Sequence, residues 1–250
     1  MVLLLLQRTL MYPAPQADSG DWNPTWLNRE EAEFTSSMGN RLHGWYCEHA
    51  QPRAVILLCH GNGEHVAFMA EELRYLRDRF QASILAFDYR GYGKSEGQPF
   101  EAGILADGLA AQRWLSERAG VPESSIVIWG RSLGGAVAVH LAASNGAKGL
   151  VLDRTFSSMV DVAASHYPWL PVRMLLSDRY PSSKRIEKYH GPIIQIHGKV
   201  DQVVPFQFGR ALFDNAPSVD KRFLALDDLH HNDPWPEETY LAVEQFITSL

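Results

Sequence analysis

Ser132 stands in Gly130-Arg131-Ser132-Leu133-Gly134-Gly135, between an apolar strand-like run (Ser125 to Trp129) and a small-residue helical pattern. A serine at a strand-to-helix turn of this kind is set up for nucleophilic attack on a carbonyl, because so sharp a turn projects the hydroxyl from the sheet edge. The glycines are needed for the same reason: a side chain at Gly130 or Gly134 would collide with neighbouring strands or helix. A serine nucleophile also needs a base, a group to orient the base, and hydrogen-bond donors for the oxygen that becomes negative.

Two later loops supply the first two. Ile193 to Ile196 reads as a strand, followed by His197-Gly198-Lys199-Val200-Asp201, which places Asp201 at the same carboxyl edge as Ser132. After the next strand, Leu226-Asp227-Asp228-Leu229-His230-His231-Asn232-Asp233-Pro234 presents His230 or His231 as the general base. Serine, then acid, then histidine is the chain order this arrangement imposes on a triad. Asp153, at the end of the preceding strand, is a second acid, expected to pair with Arg154 or to support a neighbouring loop. The donors are assigned to the backbone amides of Asn62, in the Gly-rich turn His60-Gly61-Asn62-Gly63, and of Leu133. His60 precedes that turn and is expected to be structural.

The elements that must hold these residues are legible in the hydrophobic pattern. Glu31 to Ser36 and Arg41 to Glu48 flank Met38-Gly39-Asn40 as two hairpin strands. Continuous apolar runs then follow at Ala54 to Cys59, Ser83 to Phe87, Ile126 to Trp129, Gly149 to Leu152, Ile193 to Ile196 and Arg222 to Leu226. Strands without alternation belong to a parallel sheet covered on both faces. Helical stretches lie at Val66 to Arg79, Phe100 to Ala119, Leu133 to Asn145, Phe206 to Asn215 and Pro236 to Ser249. The expected fold is α/β: a doubly wound, mostly parallel eight-stranded sheet in one domain over residues 1–250. Residues 155–190, rich in aromatic and Met side chains and broken by Pro168, Pro171 and Pro181, are expected to form a small two-helix cap insertion.

The 250 residues carry 46% apolar side chains and a net charge of −6 with both signs scattered, so no basic stripe for nucleic acid exists. Cys47 and Cys59 read as buried small hydrophobes in a reducing compartment. Val2-Leu3-Leu4-Leu5-Leu6 is far shorter than the roughly 20 residues that cross a bilayer and lacks a basic leader or cleavage site. These leucines are expected to pack on the body or extend an N-terminal strand, the alternative being an anchor stub or weak interfacial tether. A cytoplasmic location follows, with peripheral membrane association as the alternative.

His60-Gly61-Asn62-Gly63, Asp88-Tyr89-Arg90-Gly91-Tyr92-Gly93-Lys94-Ser95-Glu96-Gly97, Gly130-Arg131-Ser132-Leu133-Gly134-Gly135, His197-Gly198-Lys199-Val200-Asp201 and His231-Asn232-Asp233 together resemble the α/β-hydrolase superfamily, from about Thr9 to the C-terminus. The chain is similar to the branch holding lipid esterases and protein depalmitoylases, and to bacterial hydrolases filed beside the serine aminopeptidases. That branch places its catalytic histidine directly before Asn-Asp, which implies His231, and it uses Asp88 to Gly97 as a structural loop shaping the pocket floor. The expected reaction is hydrolysis of a carboxylic ester or thioester of a small to medium acyl substrate through Ser132, Asp201 and His231, with no cofactor or metal. The alternatives are a peptidase or amidase, for which Asp161, Asp178 and Glu187 are the cap carboxylates able to hold an amino group, and a non-catalytic binding protein.

Overall fold

The unalternated apolar runs form the middle of an eight-stranded sheet with strand order β1-β2-β4-β3-β5-β6-β7-β8. The computed structural model describes residues 2–250, with side chains from Gln7 onward. β1 (Glu30–Thr35) and β2 (Arg41–Cys47) make the antiparallel hairpin, turning at Gly39, whose φ of +86° suits a residue without Cβ. β2 also runs antiparallel to β4 (Ala82–Phe87). From β4 the sheet continues in parallel through β3 (Ala54–Cys59), β5 (Val127–Arg131), β6 (Gly149–Asp153), β7 (Ile193–Gly198) and β8 (Lys221–Leu226). Every residue of β4, β6 and β7 is buried, which is the physical origin of their uninterrupted hydrophobic sequence.

Successive strand residues feed two cores on opposite faces. Leu57, Cys59, Ile128, Leu150 and Leu152 pack beneath α3 (Glu101–Ala119), α4 (Leu133–Asn145) and α8 (Phe206–Asn215). Ile56, Leu58, Val127, Trp129 and Val151 pack beneath α2 (Ala70–Phe80) and α9 (Glu237–Ser249). α4 is apolar nearly all round, as befits a helix enclosed on most sides.

The structure corrects three expectations. The stretch from Val66 is a short 3₁₀ turn, Val66–Phe68, before α2 begins at Ala70. Between β6 and β7 lie three short helices in place of two: α5 (Met159–His166), α6 (Val172–Leu175) and α7 (Ser182–Ile186). Pro171 and Pro181 stand directly before α6 and α7, so these prolines start helices. Val2–Met11 is helical (α1) and extends no strand, in keeping with the high helix propensity of leucine; the packing of the Val2 to Leu6 side chains lies outside the described residues. Among the described residues no helix is long and apolar enough to cross a membrane. Cys47 and Cys59 are both buried and free.

At the hairpin end of the sheet, buried His43 bridges Glu31 (Nε2···Oε2 2.5 Å) and Asp88 (Nδ1···Oδ2 3.2 Å). Asp88 also accepts the backbone N–H groups of Val66 and Lys94, joining the sheet to the chain leaving β3. Burial disfavours a charged imidazole here, but hydrogen bonds and charges from Asp88 and Glu31 outweigh it and raise the His43 pKa above its ordinary 6.5. The stabilisation from a raised histidine pKa is complete below the unfolded value and disappears as pH rises through the folded one. The unfolding free-energy gap between wild type and His43→Gln is therefore expected to be largest just below pH 6.5 and to shrink in more alkaline solution. Urea denaturation across that range measures it, and a gap that widens with pH contradicts the assignment.

Candidate active site

β5 ends at Arg131 and α4 begins at Leu133, so the whole turn between them is Ser132. Its backbone sits at φ 51°, ψ −114°, a conformation that costs a non-glycine residue about 1–3 kcal/mol. Hydrogen bonds hold it there: Ser132 N–H donates to the Asp153 carbonyl (2.9 Å), and the Ser132 carbonyl accepts from Gly135 N–H (3.0 Å) and the Thr155 hydroxyl (2.8 Å). A Cβ on Gly130 would lie 2.3 Å from the Gly134 carbonyl oxygen, and one on Gly134 would lie 2.0 Å from that of Cys59. The collisions expected from the sequence are thus with the backbone of α4 and of β3 respectively.

The loops after β7 and β8 meet Ser132. His231 Nε2 is 3.2 Å from Ser132 Oγ, and His231 Nδ1 is 2.7 Å from Asp201 Oδ2. The other oxygen of Asp201 accepts the backbone N–H groups of Val203 and Val204 at 2.9 and 2.8 Å, so its orientation is fixed before histidine binds it. Burial pushes the Asp201 pKa up, but the hydrogen bond and charge of His231 and the Val204 N–H hold it below the ordinary value. The carboxylate is therefore the species facing the imidazole. His230 has an exposed side chain, and its backbone N–H donates to Asp233 Oδ2; of the two histidines, the geometry brings His231 to the serine.

Asn62 and Leu133 line the same cavity of about 540 Å³ as Ser132 and His231. Leu133 opens α4, where a backbone N–H has no partner inside the helix. The rest of the lining is largely apolar, with Met11, Phe156, Met159, Val162, Tyr167 and Val204. His60 is fully buried and directs Nδ1 to the Gly61 carbonyl at 2.8 Å, while its ring packs on Tyr89 and Tyr92. Burial lowers its pKa, in keeping with a neutral structural ring. The Asp88 to Gly97 loop lines none of this cavity and meets the turn after β3 through Tyr89, whose hydroxyl donates to the His60 carbonyl at 2.9 Å, and Tyr92, whose hydroxyl donates to Asn62 Oδ1 at 2.5 Å. Among the described residues no group of three His, Cys, Asp or Glu side chains is placed to hold a metal ion.

Arg131 escapes the sequence, whereas the expected pairing of Asp153 with Arg154 is present. Arg131 pairs with Glu64 at 2.9 Å, with Glu72, and with Asp153 at 3.5 Å, tying the end of β5 to the turn after β3 and to α2. Nothing local announces these partners, which come from three other segments. Arg154, whose φ of 46° is left-handed, donates from Nε and Nη2 to the two oxygens of Asp153, both at 2.8 Å. Its Nη1 reaches the carbonyls of Asp233 (2.7 Å) and His230 (3.2 Å). Asp153 also accepts from Trp235 Nε1. The partners of Asp153 are thus Arg131, Arg154 and Trp235, and with Arg154 it clamps the loop that carries His231.

A family model described as serine aminopeptidase, S33, matches residues 50–184. The chain is 42% identical over 198 residues to the uncharacterized protein Rv2307c of Mycobacterium tuberculosis, covering 78% of this chain and 70% of that protein. It is 30% identical over 225 residues to the alpha/beta hydrolase domain-containing protein WAV2 of Arabidopsis thaliana, covering 82% of this chain and 73% of the relative. Among solved structures, the esterase Pf2001 of Pyrococcus furiosus superposes with a TM-score of 0.76 at 21% identity, covering 94% of this chain and 97% of its own. That last likeness is one of fold.

The clamp generates its own test. Asp153 is 1% exposed and Arg154 4%, so Arg154→Ala leaves a buried carboxylate without its forked partner and is expected to cost about 3–5 kcal/mol of stability. Arg154→Lys should recover only part of it, since an ammonium cannot donate to both carboxylate oxygens and two carbonyls in one plane. Guanidinium denaturation measures both; a loss under about 1 kcal/mol for Arg154→Ala contradicts a clamping role.

Proposed function

This chain belongs to the serine aminopeptidase (S33) family of the α/β-hydrolase superfamily, and from that premise we propose that it is a serine hydrolase of carboxylic esters or thioesters with a small to medium acyl group. The observation that carries the reading is the unbroken series from Ser132 Oγ through His231 to Asp201, built on a strained elbow that faces an apolar cavity.

Ser132 Oγ attacks the acyl carbonyl as its proton passes to His231 Nε2, and Asp201 holds the imidazole in the tautomer whose Nε2 is free to accept it. The carbonyl oxygen becomes negative in the tetrahedral intermediate and is met by the backbone N–H groups of Asn62 and Leu133. Collapse of that intermediate breaks the bond to the leaving alcohol or thiol, which takes the proton from His231 and departs. A water molecule then repeats the sequence on the acyl-serine, giving its proton to His231 and releasing the carboxylic acid and Ser132. At about 540 Å³, the cavity falls in the usual range for small-molecule sites, and its Met and aromatic lining suits an acyl chain.

The cap carboxylates favour this reading over an aminopeptidase. Asp161 is paired with Arg173 at 2.8 Å. Asp178 is buried and accepts from the Tyr12 hydroxyl and the Glu101 N–H, and neither Asp178 nor Glu187 lines the cavity. None of the three therefore offers an unpaired carboxylate to a substrate ammonium group inside the cavity.

Steady-state hydrolysis of p-nitrophenyl esters of increasing chain length tests the proposal. The wild type is expected to turn them over with an optimum at medium acyl length, above its rate on aminoacyl p-nitroanilides. Asp201→Asn should lower kcat by about 10⁴-fold through the wrong imidazole tautomer, and Ser132→Ala or His231→Ala by about 10⁶-fold. Turnover that survives Ser132→Ala would place the chemistry elsewhere.

A further inference from the structure

The N-terminal helix reaches the active site from outside the sheet. Gln7 on α1 donates from Nε2 to the Leu175 carbonyl at 2.9 Å and accepts from Ser177 N–H and Oγ at 3.1 and 2.9 Å, which fastens the helix to the segment around α6. One turn later buried Tyr12 donates to Asp178 Oδ2 at 2.7 Å and lies 2.9 Å from the Tyr180 hydroxyl. Between these two anchors the Met11 carbonyl accepts a 2.6 Å hydrogen bond from Asn62 Nδ2, while the Asn62 side-chain oxygen accepts from Tyr92. The side chain of Asn62 is thus held from both sides, by residues 51 and 30 positions away, while Glu64, accepting from Gly61 N–H, holds the neighbouring part of the turn. Leu10 and Met11 also contribute to the cavity wall beside Ser132.

We propose that Gln7 to Tyr12 form a strut that positions the oxyanion donor: the Met11 carbonyl, anchored to the cap through Gln7 and Tyr12, sets the orientation of Asn62 and so of its backbone N–H. The inference rests on the reading above that this N–H meets the oxyanion. It makes the N-terminal segment and the cap a single unit with the catalytic turn, so a shift of either is felt at the oxygen of the tetrahedral intermediate. Met11 and Asn62 act here as positioning groups. The physical reason is geometric: a donor displaced by a fraction of an ångström loses most of its preference for the transition state over the ground state.

The full-length protein allows a test that separates positioning from general damage. A trifluoromethyl ketone takes up Ser132 Oγ at its carbonyl carbon, the serine proton passing to His231 and the ketone oxygen becoming an oxyanion, so its inhibition constant reports the donors. Dividing the KM of an ester by the inhibition constant of the ketone of equal chain length cancels changes in acyl binding. This ratio and kcat are both expected to fall by about 10- to 100-fold in Asn62→Ala, and to fall in the same direction in the double variant Gln7→Ala/Tyr12→Phe. Tyr92→Phe, which removes a single oxygen, carries the Asn62 arm of the test should Asn62→Ala not accumulate.

A ratio and kcat within about twofold of wild type in the Asn62 and Tyr92 variants would overturn the proposal. So would a fall confined to those variants, with the Gln7/Tyr12 double variant unchanged, because the strut would then have no part in it. A wild type that neither hydrolyses esters nor binds the ketone would instead defeat the hydrolase reading beneath it.

Discussion

The carboxyl edge of the sheet depends on how closely α4 approaches β3 and β5. With Gly130 and Gly134 lacking side chains, the first turn of α4 lies so near the strands that any Cβ would overlap a backbone carbonyl. That approach leaves one residue to reverse the chain, and the cost falls on Ser132 as a left-handed backbone. The same turn makes Ser132 the residue directly before α4, where the positive end of the helix favours negative charge. The proposed nucleophile and one proposed oxyanion donor therefore come from a single backbone constraint, secured by the Asp153 carbonyl and the Thr155 hydroxyl from the next strand end.

Everything else at the site is brought to that fixed point by loops, and each loop has its own tie. The carboxylate of Asp201 is preset by two backbone N–H groups. The histidine loop is held by Arg154, itself anchored on Asp153. The turn after β3 is tied to the elbow by the Arg131–Glu64 ion pair. Polar contacts of this kind are worth little on an exposed surface and much more where water is excluded. Arg154 and Asp153 border one cleft beside His231, and Met11, Phe156, Met159 and Val162 line the cavity that holds Ser132.

Much of this was legible in the sequence, for physical reasons. Strands buried on both faces must be continuous apolar runs, so β3 to β7 announced themselves, and the glycines around Ser132 have few other uses than a close helix approach. The Ser, Asp and His loops then followed from chain order. What stayed hidden depends on contacts between distant segments. The Leu-rich start gave no sign whether it would be helix or strand, because a short apolar run carries no period. Proline number misled at the cap, since Pro171 and Pro181 open helices there. Arg131 reads as an ordinary charge until Glu64 and Glu72 are seen beside it, and Arg154, expected beside Asp153, gives no hint of its reach to the Asp233 carbonyl. The choice between His230 and His231 needed the family pattern in the sequence, and in the structure rests on one distance to Ser132.

The most direct measurement is labelling of the full-length protein with a fluorophosphonate, followed by peptide mass spectrometry to locate the adduct. The assembled triad predicts a single phosphonylated residue, Ser132, with labelling abolished in Ser132→Ala and strongly slowed in His231→Ala. Labelling at another residue, or none at all in a folded wild-type protein, would contradict the account.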